Sequence, residues 1–307
     1  MGTPVKRTLP RAQWLTLAEE HAAGVDRLTA GHRERRQRGE RHPVEDFLFE
    51  YYRHRPTHLR RWHPGAGTAL ADAADVYGER PGYVVDAEGT ARLDIDSVME
   101  RRGRTVGFVH GLLGATLSRP AAHDCFGLHE WAMVYRLAPG EQRHEQLPLR
   151  LSQDETDAVV EDNRIRCSHF DAYRFFTPDA VGRNSLRPTR EDQVAFEQPG
   201  CLHAGMDLYK WCFKLAPAVP SGLTLAAFEL AREIRELDMA ASPYDLSDVG
   251  IAPVAIETSA GKAEYVERQR GFTARSNALR RRLLDVLEDL TERVGSRPSP
   301  AAATLDP

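Results

Sequence analysis

Three stretches of the chain set out the same chemistry in the same order: a cysteine, a histidine, an acid, then a tyrosine followed by a basic residue. The first holds Cys125, His129, Glu130, Tyr135 and Arg136, the second Cys167, His169, Asp171, Tyr173 and Arg174, and the third Cys201, His203, Asp207, Tyr209 and Lys210. Imidazole, carboxylate and thiol are the groups that titrate near neutrality or bind transition metals, so a shared reactive site is the simplest reason to gather them. Spacings differ from block to block, which excludes a structural repeat of fixed period. His129, His169 and His203 with one carboxylate would suffice for a catalytic zinc or non-haem iron with an open position, and Cys167 or Cys201 can add a thiolate. Glu130, Asp171 and Asp207 complete this set of inward candidates. Lys210 joins that set because a buried lysine can lose its proton or serve as a compact point charge.

The blocks also carry rings. Trp131, Tyr135, Tyr173, Phe175, Phe176, Tyr209 and Trp211, with Arg174 beside them, would wall a pocket for a flat, cationic or electron-poor ring, since the π-face attracts such a group. An ordinary aromatic core accounts for the same residues. The familiar short motifs are excluded: His129-Glu130 begins a zinc-protease helix, but Met133 stands where its second histidine belongs. No P-loop, no dinucleotide-binding glycine pattern and no Cys-x-x-Cys pair occurs.

Composition sets the frame for these groups. With 307 residues and 41% hydrophobic content, the chain can bury one sizeable core or two modest ones. A net charge of −4 argues against a protein that coats nucleic acid. Between Arg27 and His63, however, ten arginines face five acids around the aromatic run Phe47 to Tyr52. Such a segment either contacts phosphates and bases or is the solvated face of a helix. No secretion signal and no long apolar run is apparent, so a cytoplasmic protein without a membrane span, its cysteines reduced, is expected.

Periodicity predicts a mainly α protein: a single helical domain over 1–294 with a small β-hairpin and short strands. Its parts are a basic helical segment at 27–63, a motif-bearing centre at 120–215 and a helical part at 219–294, followed by a disordered tail at 295–307. Val44 to Trp62 reads as a helix interrupted near Pro56, and Tyr83 to Leu93 as a hairpin, with Asp94 or Asp96 capping the helix that follows. The first block predicts a helix from Phe126 to Leu137, the second a strand or irregular segment, and the third a helix to Leu215 with His203 and Asp207 on one face. Ser152 and Glu155 have the order of a capping box, while Leu147–Leu151 and Val254–Glu257 read as strands. Leu223 to Leu237 and Ser259 to Val294 are amphipathic helices, the second with a break at Gly271.

The three blocks, written AHDCFGLHEWAMVYR (122–136), RCSHFDAYRFFTP (166–178) and QPGCLHAGMDLYKWC (198–212), resemble an actinobacterial family labelled 3-methyladenine DNA glycosylase. HPVEDFLF (42–49) and SPYD (242–245) extend the resemblance, which covers about His42 to Leu283. It implies excision of alkylated purines from DNA with no metal required: a base already positively charged is flipped out, stacked on Trp131, Tyr209 or Trp211, and hydrolysed with help from one of the three carboxylates. The arginines of 27–63 would then hold DNA phosphates. Two alternatives follow from the residues alone, a His-ligated zinc or iron enzyme acting on a small molecule, and a non-enzymatic helical binding protein whose blocks face different surfaces.

Overall fold

Apolar residues returning every three or four positions favour helices, and thirteen helices and four short strands form among the described residues. The structure is a computed structural model and describes residues 5–138, 140–141 and 146–295. Eight helices build or brace the region of the three blocks: α1 (Arg11–Arg38), α2 (Phe47–Tyr51), α3 (Ile95–Leu117), α4 (Leu128–Ala132), α5 (Phe170–Tyr173), α6 (Leu202–Lys214), α7 (Ser221–Ala240) and α8 (Ser259–Gly295). Helices α6, α7 and α8 pack on one another, α3 lies against α8, and α1 against α7. Gly205 permits the closest of these approaches, because a Cβ there would lie 2.8 Å from Ser276 Oγ on α8 and 2.9 Å from Ile234 Cδ1 on α7. The main core draws on residues from Leu9 to Leu290, with Phe228, Ile234, Leu283 and Leu287 fully enclosed.

Strands β1 (Arg7–Leu9), β2 (Thr68–Leu70), β3 (Tyr83–Val85) and β4 (Ala91–Leu93) form one sheet in the order β1-β2-β4-β3. Its β3–β4 hairpin is the one the sequence predicts, with Tyr83 opposite Leu93. Asp94 caps α3 by accepting from the Ser97 amide at 3.1 Å. Ser152 and Glu155 make both bonds of a capping box, 3.3 Å and 3.0 Å, at the start of a helix over Gln153–Asp162.

Several expected elements differ. The Val44–Trp62 run yields α2 and a second short helix, Pro56–Leu59, because Arg53 turns into the left-handed region at φ 54°. Phe126 and Gly127, at φ 50° and 73°, delay the helix of the first block to Leu128, and turns replace it after Ala132. The second block contains a helical turn, α5, rather than a strand. No strand forms at Val254–Glu257, and the Leu147–Leu151 expectation reduces to a lone bridge between Leu149 and Tyr244. Helix α8 runs through Gly271, where a Cβ would meet nothing. An exposed helical glycine costs only about 1 kcal/mol against alanine, too little to break a helix anchored by Leu283, Leu287 and Leu290. The tail expected from Gly295 lies outside the described residues except for Gly295 itself, which ends α8. No described helix is long and apolar enough to cross a membrane.

Candidate functional site

The three chemical blocks meet. His129 comes from α4, His169 stands at the start of α5 and His203 in the first turn of α6. Their rings lie side by side, with centroids 4.5 Å apart for His129 and His203 and 5.3 Å apart for His169 and His203. They do not form one triad of ligands. Two sets of three residues instead bring their ligand atoms within 4.8 Å of one another: His129, His203 and Asp238 in the first, His169, Glu197 and Asp207 in the second.

In the Asp238 set, His129 Nε2 lies 2.9 Å from Asp238 Oδ1. Arg235, one helical turn back on α7, donates to the other Asp238 oxygen at 2.9 Å and to Glu130 Oε1 at 3.1 Å. Burial disfavours charge on His129, but Asp238 and Cys125 outweigh it and carry the imidazole well above its usual value. Asp238 is held below the usual carboxylate range, since His129, His203 and Arg235 together overcome its burial. His203 moves the other way: burial, then His129, push it well below the ordinary value, leaving a neutral ring. Neither of its nitrogens has a hydrogen-bond partner among the described residues.

The Asp207 set is occupied differently. His169 Nε2 lies 3.3 Å from Asp207 Oδ2 and 3.5 Å from Glu197 Oε1. The Lys210 ammonium bonds that same Asp207 oxygen, and the Tyr52 hydroxyl donates to the other at 2.9 Å. Against its burial, Lys210 and His169 keep Asp207 ionised, well below the usual carboxylate range. Burial raises Glu197, which accepts a 2.7 Å bond from the Gln193 amide. His169 Nδ1 is buried with no partner.

A cavity of about 530 Å³ is lined by His203 of the first set and by His169 and Asp207 of the second. Glu130, Asp171, Asp207, Arg174, His169 and His203 all line it, so the three carboxylates singled out in the sequence share one chamber. Lys210 sits behind it, bonded to Asp207 and 3.9 Å from Asp171. Of the rings expected to wall it, Phe175 alone lines it among the described residues. Trp131 is fully buried and donates from Nε1 to the Ala241 carbonyl at 2.9 Å, and Tyr135 donates to Glu161 at 2.6 Å. Tyr209 lies in the core with its hydroxyl 2.8 Å from His54 Nδ1, Trp211 stacks beneath Lys210 and Lys214, and Tyr173 packs edge-on against Phe176. Phe47, Tyr51 and Tyr52 join Phe175 in the cavity walls. The cysteines stand behind the histidines: Cys125 Sγ is 3.7 Å from His129 Nδ1, while burial pushes the thiols of Cys167 and Cys201 up, away from the thiolate form that ligates metal. Cys212 is buried in the core, its thiol pushed up to about 12.

Asp238, Arg235 and Glu197 were not among the residues that the sequence singled out. Arg235 and Asp238 adjoin Ile234 and Leu237 on the apolar stripe of α7, and charge inside an apolar stripe was the available signal. Glu197 had none. Four of the ten arginines of the basic segment are internally paired: Arg33 and Arg60 with Asp26, Arg35 with Glu45 and Asp46, and Arg38 with Glu40. Comparison of the chain with family models, with curated proteins and with solved structures returned no match.

Proposed function

We propose that the cavity is the active site of a metal-dependent enzyme acting on a small molecule, with His129, His203 and Asp238 as ligands of one divalent zinc or iron ion. The observation that carries this reading is the state of His203: a neutral imidazole that lines the cavity without a hydrogen-bond partner among the described residues, beside an ionised aspartate and a second imidazole, His129, whose proton shared with Asp238 the ion would displace. Two histidines and one carboxylate with open positions suit non-haem iron, and three protein ligands suit catalytic zinc.

Bound there, the ion supplies Lewis acidity. The chain's own groups do the rest. Arg235 holds Asp238 and Glu130 in place, Glu130 faces the cavity as the carboxylate able to take a proton, and Tyr51, Tyr52 and Phe175 limit access of water. Equilibrium dialysis of the full chain against zinc or iron(II), followed by metal analysis, tests the reading: about one equivalent should be retained, and lost in His203→Ala with the helical signal intact. A folded wild-type protein that retains none refutes it.

Excision of alkylated bases from DNA, which the family resemblance implies, is the second reading. It is favoured by the meeting of Glu130, Asp171 and Asp207 in one cavity walled by aromatic rings. It ranks behind because Trp131, Tyr209 and Trp211 lie away from the cavity and four of the ten arginines of the basic segment are spent on internal ion pairs. Release of methylated adenine from alkylated DNA by metal-free protein, abolished in Asp207→Asn, would reverse this order.

A further inference from the structure

We infer that the substrate of this cavity is an anion, a small molecule with a carboxylate or phosphate group that Arg41 and Arg53 grip at the entrance; the inference rests on the reading of the cavity as an active site. The floor of the chamber is acidic, yet Arg41, Arg53 and Arg174 line its outer part. Arg174 is compensated by Asp171 at 3.0 Å. Arg41 and Arg53 are exposed and have neither an ion-pair nor a hydrogen-bond partner among the described residues, unlike Arg33, Arg35, Arg38 and Arg60 of the same segment. Glu50 is the one acid at the entrance without an ion-pair partner among the described residues, so positive charge prevails there.

The backbone also points to selection. Arg53 holds φ 54°, in the left-handed region that non-glycine residues rarely adopt. That turn separates two jobs in adjacent residues: Tyr52 reaches inward to Asp207 at 2.9 Å, while Arg53 stands at the entrance. Guanidinium groups bind carboxylate and phosphate through paired hydrogen bonds. A molecule anchored there by its anionic end would present its other end to Glu130 and His203, and a chamber of about 530 Å³ has the size of a small-ligand site.

Titration calorimetry on the full chain, dialysed against zinc, tests this with phenyl phosphate and benzoate as anionic probes and phenol as the neutral control. Metal content is measured on the same samples. At least one anion should bind saturably, phenol about tenfold or more weaker, and the Arg41→Gln/Arg53→Gln double variant should lose about tenfold or more in affinity for that anion while keeping its metal. Equal binding of phenol, unchanged affinity in the double variant, or no saturable binding of either anion overturns the inference. Arginine-dependent anion binding by a wild-type protein that retains no metal would instead sustain this inference and remove the metal reading.

Discussion

The Asp238 set and the Asp207 set hold the same kinds of groups in neighbouring positions and differ in how their charge is met. Lysine meets it from inside in one case: the Lys210 ammonium and the Tyr52 hydroxyl take both oxygens of Asp207. Arginine meets it from behind in the other, engaging Asp238 Oδ2 and Glu130 while Oδ1 faces His129 and His203 keeps a free lone pair. A compact ammonium can stand where a metal ion would stand, whereas a guanidinium held in a fork orients ligands without replacing the ion. Similar groups therefore do not make equivalent sites. His54 and His63 supply a third case, imidazoles bonded to the hydroxyls of Tyr209 and Tyr83, with no acid among the causes of their shifts, and burial lowers both to about 4.

The most damaging change to this contrast is Asp238→Asn. It removes the anion between Arg235 and His129, and breaking a buried pair costs about 3–5 kcal/mol. Urea unfolding should show that loss, and metal analysis should show less than a tenth of the wild-type content; full metal retention would disqualify Asp238 as a ligand. Lys210→Met probes the other set by removing its internal cation. Zinc stoichiometry should rise from about one to about two equivalents as the Asp207 set becomes available, and a value still at one would mean that lysine is not what separates the sets. Gly205→Ala, on the helix that carries His203 and Asp207, strikes both at once, since its added methyl meets Ser276 of α8 and Ile234 of α7. A loss of about 1–3 kcal/mol is expected from such overpacking, read by urea unfolding.

The acid-free histidines predict a pH effect of opposite origin. With folded values near 4 for His54 and His63 and about 6.5 unfolded, the unfolded chain binds more protons between these limits. Stability therefore falls as the pH drops from about 6.5 towards 4, by up to about 1.4 kcal/mol per pH unit for each histidine. Urea midpoints across that range should follow this slope, and His54→Gln with His63→Gln should flatten it. The smallest effect belongs to Gly271→Ala on the open face of α8, a gain of up to about 1 kcal/mol, measurable as a raised Tm.

Much of the architecture was legible because helix periodicity and capping are local. The hairpin at Tyr83–Leu93, the Asp94 cap, the Ser152 capping box and the long helices α6, α7 and α8 all follow from neighbours in sequence. The late start of the helix in the first block turns on Phe126 in left-handed conformation, which pattern reading does not detect in a non-glycine residue. At the site, the clustering of His129, His169 and His203 was legible because the blocks repeat a chemical order. Their division between two carboxylate sets was not, since it depends on Asp238 from α7 and Glu197 from a loop, both brought in by packing. Most of the aromatic assignments missed for a related reason. Trp131 and Tyr209 adjoin functional residues in sequence, but helical geometry turns them towards the core.

The metal assignment stands or falls on diffraction from crystals grown with zinc, recorded on both sides of the zinc absorption edge. One anomalous peak is expected within about 2.0–2.2 Å of His129 Nε2, a His203 ring nitrogen and Asp238 Oδ1. A peak between His169, Glu197 and Asp207, or a folded protein with no peak in either set, would contradict it.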